Sequence, residues 1–438
     1  MTFDLRVLDL GEWSRYQKLL VGFTALAIVV DGFDNQLLAI SIPALMLEWD
    51  VPRAAFAAVL ASGMVGMVVG GALGGVVGDR IGRRLALLAS VAGFGVLTAM
   101  ASAADNIITL GVLRFLTGIG LGGAMPNSAA LASEYVPRRH RPFAVTLTIM
   151  CIPIGGTIAG LVGAQLLPRF GWRALFLVGG LVALGLAAAM WAVIPESPRF
   201  LARHPARWPE LRTLLRRLGH DLPGDAAFVD STEEPVARAS AGALMGPEFR
   251  RDTLALSASF FFCLLAVYVG INWVPSMLAG AGFGVSVASN GLAAFNLGGV
   301  AGALLAAALM PRVGSRRTML TMAAGAVAGA VVMSGVALAT QSAAVVLAML
   351  AWTGGLINAV QTTMYALAAH VYPTGIRATG VGTAVAVGRL GGVLSTYAGS
   401  WALESGGASR LFILLAAAMS VVFVALASVR RHIPGRAG

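Results

Sequence analysis

Four ionisable residues stand in places where ionisable residues are costly. Asp31 and Asp34 lie within the first long apolar run, about residues 19–47, and Arg114 and Arg389 lie within two later ones. A charge at the centre of a bilayer costs about 2.5–3.5 kcal/mol on insertion scales, so a membrane helix that keeps one turns it towards a water-filled cavity or a partner. Two carboxylates three positions apart share one face of a helix. Such a pair can take up and release protons, and the planar fork of an arginine can grip a carboxylate through two hydrogen bonds. Asp31 falls 13 residues beyond Lys18, about 20 Å along a helix, and Arg389 falls 12 beyond Arg377, about 18 Å, so the two share a depth. No acid accompanies Arg389 in its own apolar run, which leaves it a bound anion or an acid of another helix as partner. The competing reading is structural, with both acids paired permanently to buried arginines. Arg114 lies nearer the opposite face and opens a Gly-x3-Gly stretch, which suits a structural or proton-relay role.

Long apolar segments must hold these groups. Of 438 residues, 58% are hydrophobic and 12% charged, against about 25% charged in soluble domains, and the mean hydropathy is +0.82. Segments long enough to span recur at about 19–47, 54–77, 84–104, 106–134, 143–168 and 173–194, then at about 252–279, 286–310, 317–339, 342–371, 378–403 and 408–429. The pattern predicts an all-α membrane protein of twelve transmembrane helices, with a six-helix bundle in residues 1–194, a central loop at 195–250 and a second bundle in 251–438.

With both termini on the cytoplasmic side, 25 of the 31 Lys and Arg residues fall on that side, 4 on the other, and Arg114 and Arg389 within the membrane. That is the asymmetry of the positive-inside rule, so the net charge of +11 reports topology and not a nucleic-acid partner. Cys151 and Cys263 sit in apolar segments, which argues against a disulfide framework or a metal centre. The polar opening, residues 1–18, leads straight into a helix long enough to span, unlike a cleavable signal. Within the central loop, Pro205 to Leu218 reads as a short basic helix along the lipid headgroups, part of a tether between the halves. Asp221 to Ala243, rich in Pro, Gly, Ala and acids, reads as a mobile linker.

The two halves repeat one another. Gly75-x3-Asp79-Arg80-x-Gly82-Arg83-Arg84 follows the second segment, and Pro311-Arg312-Val-Gly314-Ser-Arg316-Arg317 follows the eighth, offset by 232 residues. Glu134-Tyr-Val-Pro137 to Arg141, with Gly155-Gly156 beyond, recurs as His370-Val-Tyr-Pro373 to Arg377 with Gly391-Gly392, offset by 236. Two such halves, related by an axis along the membrane normal, place a ligand site between them near the midplane. Asp79, Arg80, Arg83, Arg84, Glu134 and Arg141 cluster at the cytoplasmic ends of helices 2 to 5, where charge pairs can lock one state of a rocking protein. Topology alone explains the arginines but not Asp79. Pro311 replaces Asp79 in the second copy, so an acid-based lock is expected only in the first half.

The Gly75 to Arg84 loop, together with Arg114-x3-Gly118-x3-Gly122, resembles the loop and fourth-helix motifs of the major facilitator superfamily. Within it, Asp31-Gly-Phe-Asp34, Pro195-Glu-Ser-Pro-Arg199, Asn272-Trp273, Phe295-Asn296, Gln361 to Tyr365, Tyr372-Pro-Thr-Gly-Ile-Arg377 and Gly388-Arg389-Leu-Gly-Gly392 look like the aromatic acid:proton symporter family, 4-hydroxybenzoate type included. The resemblance runs from about Trp13 to Leu403. It implies the major facilitator fold in a bacterial inner membrane and import of an aromatic carboxylate with protons by a monomer that uses the proton gradient and no cofactor. On that footing Asp31 and Asp34 are the proton-coupling candidates and Arg389 the carboxylate anchor. Asn272, Asn296, Gln361 and Tyr365 are candidate polar contacts, because a polar group in an apolar helix needs a partner. Phe33, Tyr268 and Trp273 are candidate walls for an aromatic ring, each with plain packing as its alternative. Gly75, Asp79, Arg80, Gly82, Arg83, Arg84, Glu134 and Arg141 are the gating candidates.

Three rival functions remain in view, one of them a symporter of another organic anion on the same fold. An exporting antiporter shares the fold, but helix 5 lacks the Gly-Pro pair of the superfamily's exporters, with Pro153 standing two residues before Gly155. An intramembrane enzyme is disfavoured, since no His-Glu-x-x-His motif occurs and residue 76, where a Gly-x-Gly-Asp motif would need glycine, is Val.

Overall fold

The computed structural model describes residues 2–11, 13–219, 227–229 and 241–435. Ten helices are long and apolar enough to cross a membrane. In the first half these are α1 (Arg15–Trp49), α2 (Arg53–Ile81), α3 (Arg83–Ala101), α4 (Ile107–Tyr135) and the long helix Arg141–Val193. A straight helix of 53 residues would run about 80 Å, far beyond a hydrocarbon core of about 30 Å. It breaks at Gly171 (φ 74°), a left-handed value that glycine adopts without strain, into α5 (141–170) and α6 (172–193). The second half supplies α7 (Arg250–Gly280), α8 (Val285–Val313), α9 (Ser315–Gly335), α10 (Ala343–Val371) and Thr374–Ser428. That last helix is interrupted at Gly406 and Gly407 into α11 (374–405) and α12 (408–428). Twelve spans result, in the predicted six-plus-six order.

Local sequence explains the ends. Ser14 caps α1 by accepting from the Gln17 N–H (3.2 Å) while Gln17 Oε1 accepts from the Ser14 N–H (2.8 Å), a reciprocal capping box. Asn106 caps α4 through Thr109 N–H (2.9 Å). Inside each bundle the helices meet backbone to backbone at glycines. Gly66 lies on the Phe115 carbonyl and Gly155 on the Val29 carbonyl, leaving no room for a Cβ. The second half repeats both contacts as Gly298 on the Ala351 carbonyl and Gly391 on the Phe261 carbonyl. The residue offsets are the same 232 and 236 that relate the sequence motifs.

The bundles touch on the side away from the arginine-rich loops. Gly160 of α5 packs on Ser289 and Ala293 of α8, Met64 of α2 packs on Gly392 of α11, and Arg53 lies beside Gly280. Gln36 and Asn296 exchange two carboxamide hydrogen bonds between bundles (3.2 and 2.8 Å). Towards the arginine-rich side, Gly75 of α2 and Gly382 of α11 face open space.

The central segment departs from the sequence reading. The helix Trp208–Arg217 buries Leu211, Leu214 and Leu215 against Leu5, Leu8, Leu201 and Phe228, so its apolar face is covered by protein and not by headgroups. Strand β1 (Thr2–Asp4) pairs in parallel with β2 (Ala227–Val229), inside the stretch expected to be a mobile linker. Residues 221–226 and 230–240 of that stretch lie outside the described residues. At the other end Ser315, the first residue of α9, donates its N–H to the Ile433 carbonyl (2.9 Å), and Ile433 N–H returns a bond to Ser315 Oγ (2.9 Å).

Candidate functional site

A cavity of about 170 Å³ lies between the bundles. Drug-sized ligands occupy pockets of roughly 300–1,000 Å³, so this one suits a small molecule. Asp31 and Asn35 of α1 line it, with Tyr268 of α7, Asn296 of α8, Gln361 and Tyr365 of α10, and Arg389 of α11. Apolar walls come from Met67, Leu121, Met125, Met150, Leu264 and Ile271. Arg389 acts on Asp31 through space, and the two face the cavity without an ion pair within 4 Å among the described residues. The Arg389 guanidinium lies over Gly71 of α2, and a Cβ there would meet Nη1 at 2.5 Å. Helix α2 thereby lets an arginine of one bundle reach across to the other.

Asp34 belongs to a different environment. It accepts from the Thr98 hydroxyl and from Arg114, whose Nη1 lies 3.3 Å from Oδ2 and 3.3 Å from the Asp34 carbonyl oxygen. Asp34 is 1% and Arg114 5% exposed, and the guanidinium stacks on Phe176 with its carbon 4.6 Å from the ring centroid. This is a desolvated charge pair with extra hydrogen bonds, the arrangement in which losing one partner is most damaging. A second chamber of about 30 Å³, large enough for water, adjoins Arg114 and Asn272 and shares Asn35, Met67, Leu121 and Tyr268 with the central cavity.

Residues 24–396 match the sequence profile of the Major Facilitator Superfamily. The chain belongs to that superfamily. It is 34% identical over 415 residues to a gallate transporter of Pseudomonas putida, covering 93% of this chain and 92% of that one. It is 33% identical over 400 residues to a 4-hydroxybenzoate transporter of Pseudomonas aeruginosa, covering 90% and 88%. Among solved structures it is similar to the xylose transporter XylE of E. coli in a partially occluded inward-open conformation, with TM-score 0.71, 18% identity, and 94% and 97% of the chains covered. The protein is a multi-pass membrane transporter whose curated relatives carry aromatic acids.

The superfamily's loop motif is engaged within the first bundle. Asp79 pairs with Arg83 one turn on, and Arg83 also donates to the Gly75 carbonyl (3.4 Å). Gly82 carries a φ of 106°, which lets α3 start immediately after α2. Arg84 donates its N–H to Glu196 (2.9 Å) and its guanidinium to the Trp191 carbonyl (2.6 Å). Glu134 accepts from the Ser197 hydroxyl, and Arg141 pairs with Asp9 and donates to the Ser133 carbonyl (3.0 Å). Arg80 is exposed. Asp9, Glu196 and Ser197 thus belong to the cluster. Spacing does not connect them to the loop, although the Pro195-Glu-Ser-Pro-Arg199 motif pointed at two of them.

Three expected pocket residues lie elsewhere. Phe33 follows Asp31 by two positions, about 200° around the helix, and packs at Gly179 of α6. Trp273 is fully buried against Gly399, about 100° from Asn272 on α7. Asn272 faces the small chamber, its Nδ2 without a protein partner. Tyr268, Asn296, Gln361, Tyr365 and Arg389 do meet in the cavity, joined by Asn35, Asn358 and Thr362, which the sequence reading passed over. Asn358 was findable, since it stands seven residues before Tyr365 on the same helical face.

Proposed function

We propose that the protein imports a single-ring aromatic carboxylate together with protons by alternating access. The carrying observation is that Arg389 and Asp31 share a small cavity between the two bundles without being paired. An unpaired fork donor in an apolar-walled cavity has the chemistry to take a carboxylate, and the Met, Leu and Tyr side chains around it suit a ring. The gallate and hydroxybenzoate transporters among the relatives support that substrate class.

Charge accounting supplies the coupling. A substrate carboxylate on Arg389 leaves two anions beside one cation, and one proton on Asp31 restores neutrality. A neutral cavity is the form that closes at least cost in a low-dielectric membrane. Asp34 with Arg114 is the second proton-coupling candidate, and Asp79, Glu134, Arg141 and their partners hold the gate. On this reading the arginine-rich side faces the cytoplasm of a bacterium, with both termini on that side of its inner membrane. The working unit is a monomer driven by the proton gradient alone.

Reconstitution into liposomes tests this. Labelled 4-hydroxybenzoate should accumulate when the outside is made acidic and stop when a protonophore is added. Outward movement of cationic or neutral compounds against an inward proton gradient would replace the importer with an exporter.

A further inference from the structure

Helix α10 presents one polar stripe to the cavity. Asn358, Gln361, Thr362 and Tyr365 stand at i, i+3, i+4 and i+7, so they share a face over about 10 Å of helix. Tyr365, at one end, lines the cavity together with Arg389 of α11. Asn358, two turns away, is pinned against Gly299 of α8 and donates its Nδ2 to the Gly354 carbonyl (2.9 Å). Its backbone carbonyl accepts from the Thr362 hydroxyl (2.9 Å), and its side-chain Oδ1 has no protein donor among the described residues. The Asn296 carboxamide, by contrast, is spent on Gln36 and the Leu292 carbonyl. The rest of the lining mixes Asp31, Asn35, Tyr268 and Arg389 with apolar side chains such as Met67, Leu121 and Met150.

We infer that Asn358 and Gln361 read hydroxyl groups on the ring of the transported acid, so that the site favours hydroxylated benzoates over benzoate itself. This rests on the carboxylate-carrier reading above. With the carboxylate held by Arg389, the ring runs along α10 and brings a hydroxyl opposite the carboxyl to Asn358, whose acceptor takes its O–H. Gln361, one turn nearer Arg389, is placed for a hydroxyl on the ring flank. Benzoate offers neither hydroxyl to these side chains.

Binding of benzoate, 4-hydroxybenzoate and 3,4-dihydroxybenzoate to the purified full-length protein tests it by calorimetry. The hydroxylated acids should bind about 5- to 10-fold tighter than benzoate, the scale of one neutral hydrogen bond. Asn358→Leu should erase most of that advantage while leaving benzoate within about 2-fold, and Asn272→Leu, in the neighbouring chamber, should preserve it. A wild-type protein that ranks the three acids equally overturns the inference without any variant. An Asn358→Leu loss shared equally by all three acids also overturns it and leaves the carrier reading standing. Failure of all three acids to bind the wild type overturns the carrier reading and the inference together.

Discussion

Asp31 and Asp34 stand one turn apart on α1, and each answers to a different arginine. Asp34 is locked to Arg114, 3.3 Å away, inside the first bundle, while Asp31 lines the central cavity with Arg389 of the second bundle. One acid is thus tied to the architecture of a single bundle and the other to the space between two.

That difference separates their variants. Asp34→Asn leaves the Arg114 charge buried without its partner, and breaking such a pair costs about 3–5 kcal/mol. Asp31→Asn strands no buried partner. Melting curves in detergent should show a large drop for Asp34→Asn and a small one for Asp31→Asn, yet Asp31→Asn should abolish accumulation in liposomes and retain substrate exchange. An Asp31→Asn protein that accumulates substrate and still collapses with the proton gradient would remove that acid from the coupling.

Arg389→Lys keeps a charge in the cavity but loses the two-pronged geometry. Affinity for an aromatic carboxylate should fall by about 1.5–3 kcal/mol, the value of a charged hydrogen bond, and the corresponding amide should not bind to either protein. Titration calorimetry with acid and amide measures both.

Asp79→Asn removes an exposed ion pair with Arg83, worth about 0–1 kcal/mol to stability. The melting temperature and the substrate Kd should hardly move while transport turnover falls. Loss of binding, with turnover per bound substrate unchanged, would place Asp79 in the site and not in the gate.

Phe33→Ala tests the correction made at α1. Truncating a buried phenylalanine costs about 3–5 kcal/mol, so stability should drop, while the folded fraction keeps its substrate affinity within about 2-fold. A selective loss of affinity would return Phe33 to the pocket.

His432, on the tail that docks beside Ser315, offers a pH-dependent readout. Burial is the main cause holding its imidazole below the usual histidine range, against a bond to the Leu426 carbonyl that favours the charged form. The unfolded chain then binds the proton more readily, so stability is complete above about pH 6.5 and declines as pH falls through the folded value. Thermal melts from pH 7.5 to 5 should show a decline that His432→Gln reduces.

What was legible in the sequence followed from period and charge. Twelve apolar runs, the 25-to-4 arginine and lysine asymmetry and the 232 and 236 offsets specify topology, because each reflects a constraint that the bilayer imposes on every helix. Asp31 and Arg389 stood out because charge is expensive there. Phe33 and Trp273 were misplaced because an aromatic residue in an apolar helix carries no mark of which way it faces. A rotation of about 100° or 200° about the helix decides the matter, and only the neighbouring helices fix it. The cover over Leu211, Leu214 and Leu215 was equally invisible, since an amphipathic helix reads the same whether lipid or a distant part of the chain lies on its apolar face.

The glycine contacts between α2 and α4 carry a warning for anyone who scans this protein by mutation. Gly66, Gly70 and Gly74 press on the backbone of α4 so closely that the smallest side chain has no room. Substitutions along that line should therefore be as damaging as those at Arg389, although none of the three glycines lines the cavity. A map of intolerant positions would show two patches of equal depth, and only one of them is a binding site. Ligand protection separates them: saturating substrate raises the melting temperature of a seam variant that still folds, and does nothing for a protein that has lost its anion anchor.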